Sequence, residues 1–282
     1  MPGLIDPNRE LLDRATPLVY KQVGDQELKV HVFQPEDSSE GLRPAMLFFF
    51  GSFWDQGSIS QFAPQCAYYA SRGVVAGAVE YRVGSTHGTG PVDAVADARA
   101  AFQWMRTNAE KLRIDPNRIV GGGASGGAYL LFASTMIDDG SPDDQEPAEP
   151  TVSSHPDAIV AFSPILDISK RGAGLEHFEN PKIAKVLSPL ALVRRDLPPS
   201  IIFHGTSDRL VPFAGADKFA RRMRRKKNHC ELISFEGQEH SFFNLNVNMA
   251  HYEATLNHTD RFLAEVGILD ADSDSGEALV GF

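Results

Sequence analysis

Residues Gly121-Gly122-Gly123-Ala124-Ser125-Gly126-Gly127 stand between a strand-like apolar run, Arg118-Ile119-Val120, and a helix-like one, Tyr129-Leu130-Leu131-Phe132-Ala133. Within them Gly123, Ser125 and Gly127 satisfy Gly-x-Ser-x-Gly. A nucleophilic serine needs this spacing because it sits at the apex of a tight strand-to-helix turn. The backbone there is strained, and a side chain two residues to either side collides with the neighbouring strand or helix. The pattern aims the Ser125 hydroxyl out from the sheet edge. It aims the Gly126 N–H, at the start of the helix, at a developing oxyanion. The glycines alone do not decide between this and a phosphate cradle. No Gly-Lys-Ser/Thr follows, which excludes a Walker loop, but Gly121 to Gly126 also matches the dinucleotide string Gly-x-Gly-x-x-Gly.

Working outward, the chain reads as alternating strands and helices after an antiparallel start. Leu18 to Tyr20 and Leu28 to Phe33 alternate apolar and polar residues around Gly24-Asp25, the pattern of an edge hairpin. Ala45 to Phe50 is apolar throughout, as a strand buried on both faces requires. A helix is expected from about Ser60 with Phe62, Cys66, Tyr69 and Ala70 on one side, stopped by Gly73. Val74 to Tyr81 is the next buried strand. Pro91 opens a helix with Val95, Ala98, Phe102 and Met105 at helical intervals. Ala158 to Leu166, Ser200 to Phe203 and Cys230 to Phe235 are further strands. Phe213 to Lys227 and Met249 to Val266 are helices.

Three stretches fall outside that alternation. Asp138 to Pro156 reads as an exposed acidic loop, and 167–199, with its Gly and Pro breaks, as a lid-like insertion over the strand ends. The acidic, Ser-rich tail at 270–282 reads as loose. There is no internal repeat. The expectation is a single α/β domain over 1–282, a mostly parallel central sheet with helices on both faces. Reactive groups then gather beyond the carboxyl ends of the strands.

The sequence has 282 residues and a net charge of −10, which argues against a nucleic-acid partner. The basic run Arg221-Arg222-Met223-Arg224-Arg225-Lys226-Lys227 reads as the solvent face of a helix near its C-terminus, where cations suit the dipole. Phe48-Phe49-Phe50 reads as core. The two cysteines, Cys66 and Cys230, read as reduced core thiols. No apolar run reaches the length needed to span a membrane, and no membrane partner is expected. The expected location is cytoplasmic, or periplasmic or secreted if a leader was removed. Homodimer formation is left open.

The residues downstream decide the chemistry. Ser125 needs a base, and the base needs an orienting acid. Asp208 lies in His204-Gly205-Thr206-Ser207-Asp208, just after the strand Ile201-Ile202-Phe203. His240 lies in Glu236-Gly237-Gln238-Glu239-His240, just after the strand ending at Phe235. Serine, then aspartate, then histidine is the α/β-hydrolase order, with each residue in the required loop. Competing bases fit less well: His204 precedes the acid, His229 precedes a strand, and His251 lies inside a helix. Asp167 is a reserve acid. The dinucleotide reading fails because Asp138 and Asp139 follow a helix instead of ending a second strand.

These motifs, with Phe48-Phe49-Phe50-Gly51-Ser52-Phe53-Trp54, Gly57-Ser58 and Glu80-Tyr81-Arg82-Val83, resemble the α/β-hydrolase esterases of the hormone-sensitive-lipase and acetyl-esterase type. The likeness is greatest to bacterial acetyl xylan esterase and lipase-like members and covers roughly Val19 to Leu269. It implies an oxyanion hole from the N–H groups of Ser52, Phe53 and Gly126, with Phe50-Gly51-Ser52-Phe53 standing where the family usually has His-Gly-Gly-Gly. It also implies that Trp54, Tyr81 and His87 approach the pocket mouth. The expected activity is hydrolysis of short-chain acyl esters, acetylated sugars foremost, through an acyl-enzyme and without metal or organic cofactor. Two rivals remain at this point: a serine peptidase of the prolyl-oligopeptidase kind, and a hydrolase-fold binding protein without turnover.

Overall fold

The computed structural model describes residues 8–36, 41–137, 152–178 and 180–270. Eight strands form one sheet: β1 (Thr16–Val23), β2 (Gln26–Phe33), β3 (Arg43–Phe49), β4 (Val75–Val79), β5 (Ile114–Ala124), β6 (Ala158–Phe162), β7 (Ser200–Gly205) and β8 (Cys230–Phe235). Their spatial order is β1-β2-β4-β3-β5-β6-β7-β8. The hairpin β1–β2 turns through Gly24, at φ +57°, and β2 pairs antiparallel with β4. All pairings from β4 across to β8 are parallel.

The unbroken apolar run of β3 follows from its central place. Ala45, Leu47 and Phe49 point into one core, with the helices Pro91–Thr107, Ser125–Met136 and Phe213–Arg225 packed over it. Met46 and Phe48 point into the other, under the helices Ala63–Ser71 and Met249–Glu265. A strand covered on both faces has no side on which a polar residue is tolerated. The Ser125–Met136 helix is buried along its whole length for the same reason. By contrast, Phe213–Arg225 buries only Ala216, Phe219, Ala220 and Met223, and its arginines face outward. Both cysteines are buried and free.

Most expected boundaries hold within a residue or two. One strand is shorter than its apolar run: β6 stops at Phe162, because Ser163 takes φ +42° and turns the chain out of the sheet. The apolar Ile165 and Leu166 that follow are core residues in a loop. The insertion consists of a short turn at Leu175–His177 and short helices at Pro181–Val186 and Pro189–Leu192. Of the expected acidic loop and tail, residues 138–151 and 271–282 lie outside the described residues.

Phe132 is fully buried and meets Phe219 edge-on at 4.9 Å, joining the Ser125–Met136 helix to Phe213–Arg225. Phe132→Ala is expected to cost about 3–5 kcal/mol in urea unfolding, from lost transfer energy plus the cavity left behind. A loss under about 1 kcal/mol would show that this joint does not hold the helix.

Candidate active site

Ser125 begins its helix at φ +51°, a left-handed conformation that costs a non-glycine residue energy. The turn is tight enough that a Cβ on Gly127 would lie 2.3 Å from the Phe50 carbonyl oxygen and 2.4 Å from that of Phe49. One on Gly123 would lie 3.0 Å from the Ala128 nitrogen. The glycines of the motif therefore let the helix start dock directly on the end of β3. Ser125 is buried, and its hydroxyl makes no hydrogen bond to any described residue.

Asp208 and His240 lie in the loops after β7 and β8, as the order of motifs predicts. His240 Nδ1–H donates to Asp208 Oδ2 at 2.7 Å, which leaves Nε2 as the basic nitrogen. The other carboxylate oxygen accepts the Leu210 and Val211 N–H groups, each at 2.9 Å. Burial pushes the Asp208 carboxyl up. Hydrogen bonds from His204 and His240, the His240 charge and the Val211 amide outweigh it and hold the group well below the usual carboxylate range. On the loop of His240, the backbone oxygen of His240 itself accepts from Ser163 Oγ at 3.1 Å, so the turn after β6 steadies that loop.

Ser125 and His240 open onto one cleft of about 770 Å³. Its walls are the loop after β3 (Gly51, Ser52, Phe53, Asp55, Gln56), Gln61, the insertion (Gly172 to Gly174, Glu176, His177) and Arg209, Leu210, Ser241 and Phe243. The insertion thus borders the cleft onto which Ser125 and His240 open. Asp167, the reserve acid, has no place in that lining.

The loop after β3 departs from expectation in two ways. First, the Gly126 N–H already donates to the Ser52 carbonyl at 2.9 Å, so this expected oxyanion donor is engaged within the protein. Second, Trp54, Tyr81 and His87 are not at the mouth. Trp54 is buried with φ +57°, its ring edge-on to Tyr129 at 4.9 Å and to Phe178 at 5.7 Å. Tyr81 is buried too, and burial raises its phenol well above the ordinary value, keeping it protonated. It donates to the Phe50 carbonyl at 2.7 Å and so accepts from Ser52 Oγ at 2.8 Å, while the backbone N–H of Trp54 donates to Ser52 Oγ at 2.9 Å. His87 is spent locally, its Nδ1 3.0 Å from the Val83 nitrogen. Aromatic type and nearness to the motif suggest a substrate platform, but the large apolar areas of Trp54 and Tyr81 place them under the loop.

Sequence reasoning missed other members. Gln61 Oε1 accepts the Gly51 N–H at 2.6 Å while its Nε2 donates to Asn244 at 3.2 Å, tying the loop after β3 to the segment after His240. No pattern marks Gln61. His177 stacks beside Phe53, with ring centres 6.0 Å apart, and comes from the insertion, whose path has no periodicity to read.

This fold, with its serine, aspartate and histidine in the loops beyond parallel strands, defines the class: an α/β-hydrolase of the esterase type. A family model described as BD-FAE matches residues 30–223, and the chain belongs to that family. Among curated proteins it is 26% identical to esterase LipC of Mycobacterium tuberculosis over 230 residues, 75% of this chain but 56% of LipC. The chain thus spans little more than half the length of that relative. Among solved structures it is similar to the native thermophilic esterase Est2 of the Planctomycetes species Thermogutta terrifontis. The identity is 39%, the TM-score 0.83, and the match covers 93% of this chain and 96% of that one. The butyrate-bound form of Est2 matches with the same identity and TM-score over 92% and 97%. No helix among the described residues is long and apolar enough to cross a membrane.

Two outcomes test the site. Gly127→Ala forces its methyl group onto two β3 carbonyls and is expected to destabilise the fold or unseat Ser125; wild-type melting and activity together would refute the docking. Asp208 titrates lower in the folded chain than in the unfolded one, so its ionised form contributes stability above about pH 4 and loses it as pH falls below that. The gap in Tm between wild type and Asp208→Asn should therefore be widest near neutrality and close in acid; a gap unchanged by acid refutes the assignment.

Proposed function

We propose that the chain is a serine carboxylic ester hydrolase in which Ser125 is the nucleophile, His240 the general base and acid, and Asp208 the orienting carboxylate. The observation that carries this is the His240–Asp208 hydrogen bond of 2.7 Å at the edge of the cleft onto which Ser125 opens. His240 Nε2 takes the Ser125 proton as Oγ attacks the ester carbonyl. Asp208 keeps the imidazole in the tautomer that leaves Nε2 free and stabilises its cation. His240 then protonates the leaving alcohol. Water repeats the sequence on the acyl-enzyme.

The oxyanion is received by the N–H groups of Ser52, Phe53 and Gly126. The Ser52 carbonyl now holds the Gly126 N–H, so the Ser52–Phe53 peptide turns over when an acyl group binds. That motion releases Gly126 and swings the Phe53 N–H to the side its carbonyl left.

The acyl group is short. Phe53, half-buried against His177, bounds the cleft beside Ser125, and Est2, similar over nearly all of this chain, has a structure with butyrate bound. Acetyl esters of carbohydrates are the favoured natural class. The cleft supports them with Asp55, Gln56, Gln61, Glu176, Arg209 and Ser241, which suit the hydroxyls of a sugar alcohol portion.

Ser125→Ala should lower kcat for p-nitrophenyl acetate on the order of a million-fold with Tm unchanged. Retained turnover, or a native chain that a fluorophosphonate fails to label, overturns the reading. Across p-nitrophenyl esters of rising length, kcat/KM should fall beyond butyrate, and Phe53→Gly should move the optimum to longer chains. Acetate release from acetylated sugars tests the natural class. Amide substrates turned over faster than esters would favour a peptidase instead.

A further inference from the structure

We infer that His204 is a positioning residue of the acid–base pair, acting through Asp208; the inference rests on the esterase reading above. His204 is the fifth residue of β7 and is fully buried. Its Nε2 lies 2.9 Å from the Val211 carbonyl oxygen and 3.3 Å from Asp208 Oδ2, the oxygen that His240 uses. Neither oxygen has a proton to give, so Nε2 carries the hydrogen. Nδ1 makes no hydrogen bond to any described residue, and the ring meets Phe213 edge-on at 5.7 Å.

An apolar side chain would fill this space without burying an unpartnered nitrogen, so packing does not account for an imidazole here. The N–H does two things that a hydrocarbon cannot. It bridges the first and last residues of the Asp208–Val211 turn, reinforcing the loop that carries the acid. It also fixes the plane of the carboxylate. Oδ1 is held by two amides, and Oδ2 is left between two imidazoles, one fixed in the core and one working at the cleft. With His204 in place, a lone pair of Oδ2 faces His240 Nδ1 and the imidazole is held at the cleft onto which Ser125 opens. His204 is absent from the cleft lining, so its loss should act on turnover and not on binding.

The test uses His204→Gln and His204→Met in the full chain. The two side chains have similar reach and differ in the amide N–H. With p-nitrophenyl acetate, the Met variant is expected to lose about ten-fold in kcat with KM within about two-fold, and the Gln variant to recover most of the loss. Fluorophosphonate labelling of Ser125 should slow in step. Nitrogen NMR of the wild type should show His204 as the Nε2–H tautomer. A folded Met variant with wild-type kcat overturns the inference, as does a Gln variant as slow as Met or an Nδ1–H tautomer. Should the Met variant fail to fold, a Gln variant below a tenth of wild-type kcat overturns it. Wild type inert toward esters is a separate outcome and sinks the esterase reading itself.

Discussion

The close approach of two backbones is the constraint on which the rest depends. The start of the Ser125–Met136 helix lies against the Phe49 and Phe50 carbonyls with no room for a methyl group at residue 127. That contact joins the two central parallel strands, β3 and β5, at their carboxyl ends. It sets Ser125 directly beside the loop after β3. A sheet of this kind has only backbone at the crossing point, so the spacing of Ser125 from Ser52 is set by peptide geometry and not by side-chain packing. The strain at Ser125, and again at Trp54 in the facing loop, is held in place by the two cores that clamp β3 from either side.

Asp208 faces the opposite electrostatic problem. A carboxylate with no solvent contact on its side chain needs more than one partner to stay ionised, and here every lone pair has a use. Two amides hold one oxygen and two imidazoles share the other. The amides come from its own turn and His204 from the strand before it, so part of the support for the charge does not depend on His240. A carboxylate that relied on His240 alone would lose its own stabilisation whenever the imidazole moved.

Residues whose place is set by position along the chain were legible. The β3 run, the Gly-x-Ser-x-Gly turn, and Asp208 and His240 after their strands are local patterns, and the parallel sheet brings their ends together. Residues whose role is set by what lies across from them were not. Gln61 matters because Gly51 and Asn244 lie on either side of it, which no spacing encodes. His204 was weighed only as a rival base, since its distance from Asp208 depends on a turn that closes back on β7. Trp54, Tyr81 and His87 show the converse error. Their chemical types suited a sugar, but chemical type does not say which side of a loop a ring occupies. Two of them pack beneath it and the third caps its own turn.

Their true place explains how this loop is shaped without the glycines that the resemblance led one to expect. A His-Gly-Gly-Gly loop shapes itself through backbone freedom. Phe50-Gly51-Ser52-Phe53 has less of that freedom and is instead shaped by side chains. The backbone N–H of Trp54 donates to Ser52 Oγ, Ser52 to Tyr81, and Tyr81 to the Phe50 carbonyl, a closed run of donors that starts and ends in the loop itself. Ser52 is thus anchored by its hydroxyl while its peptide carbonyl stays on Gly126. Anchoring the loop through a side chain is something glycine cannot do, and it leaves the Ser52 carbonyl on the Gly126 N–H above while the hydroxyl is held beneath.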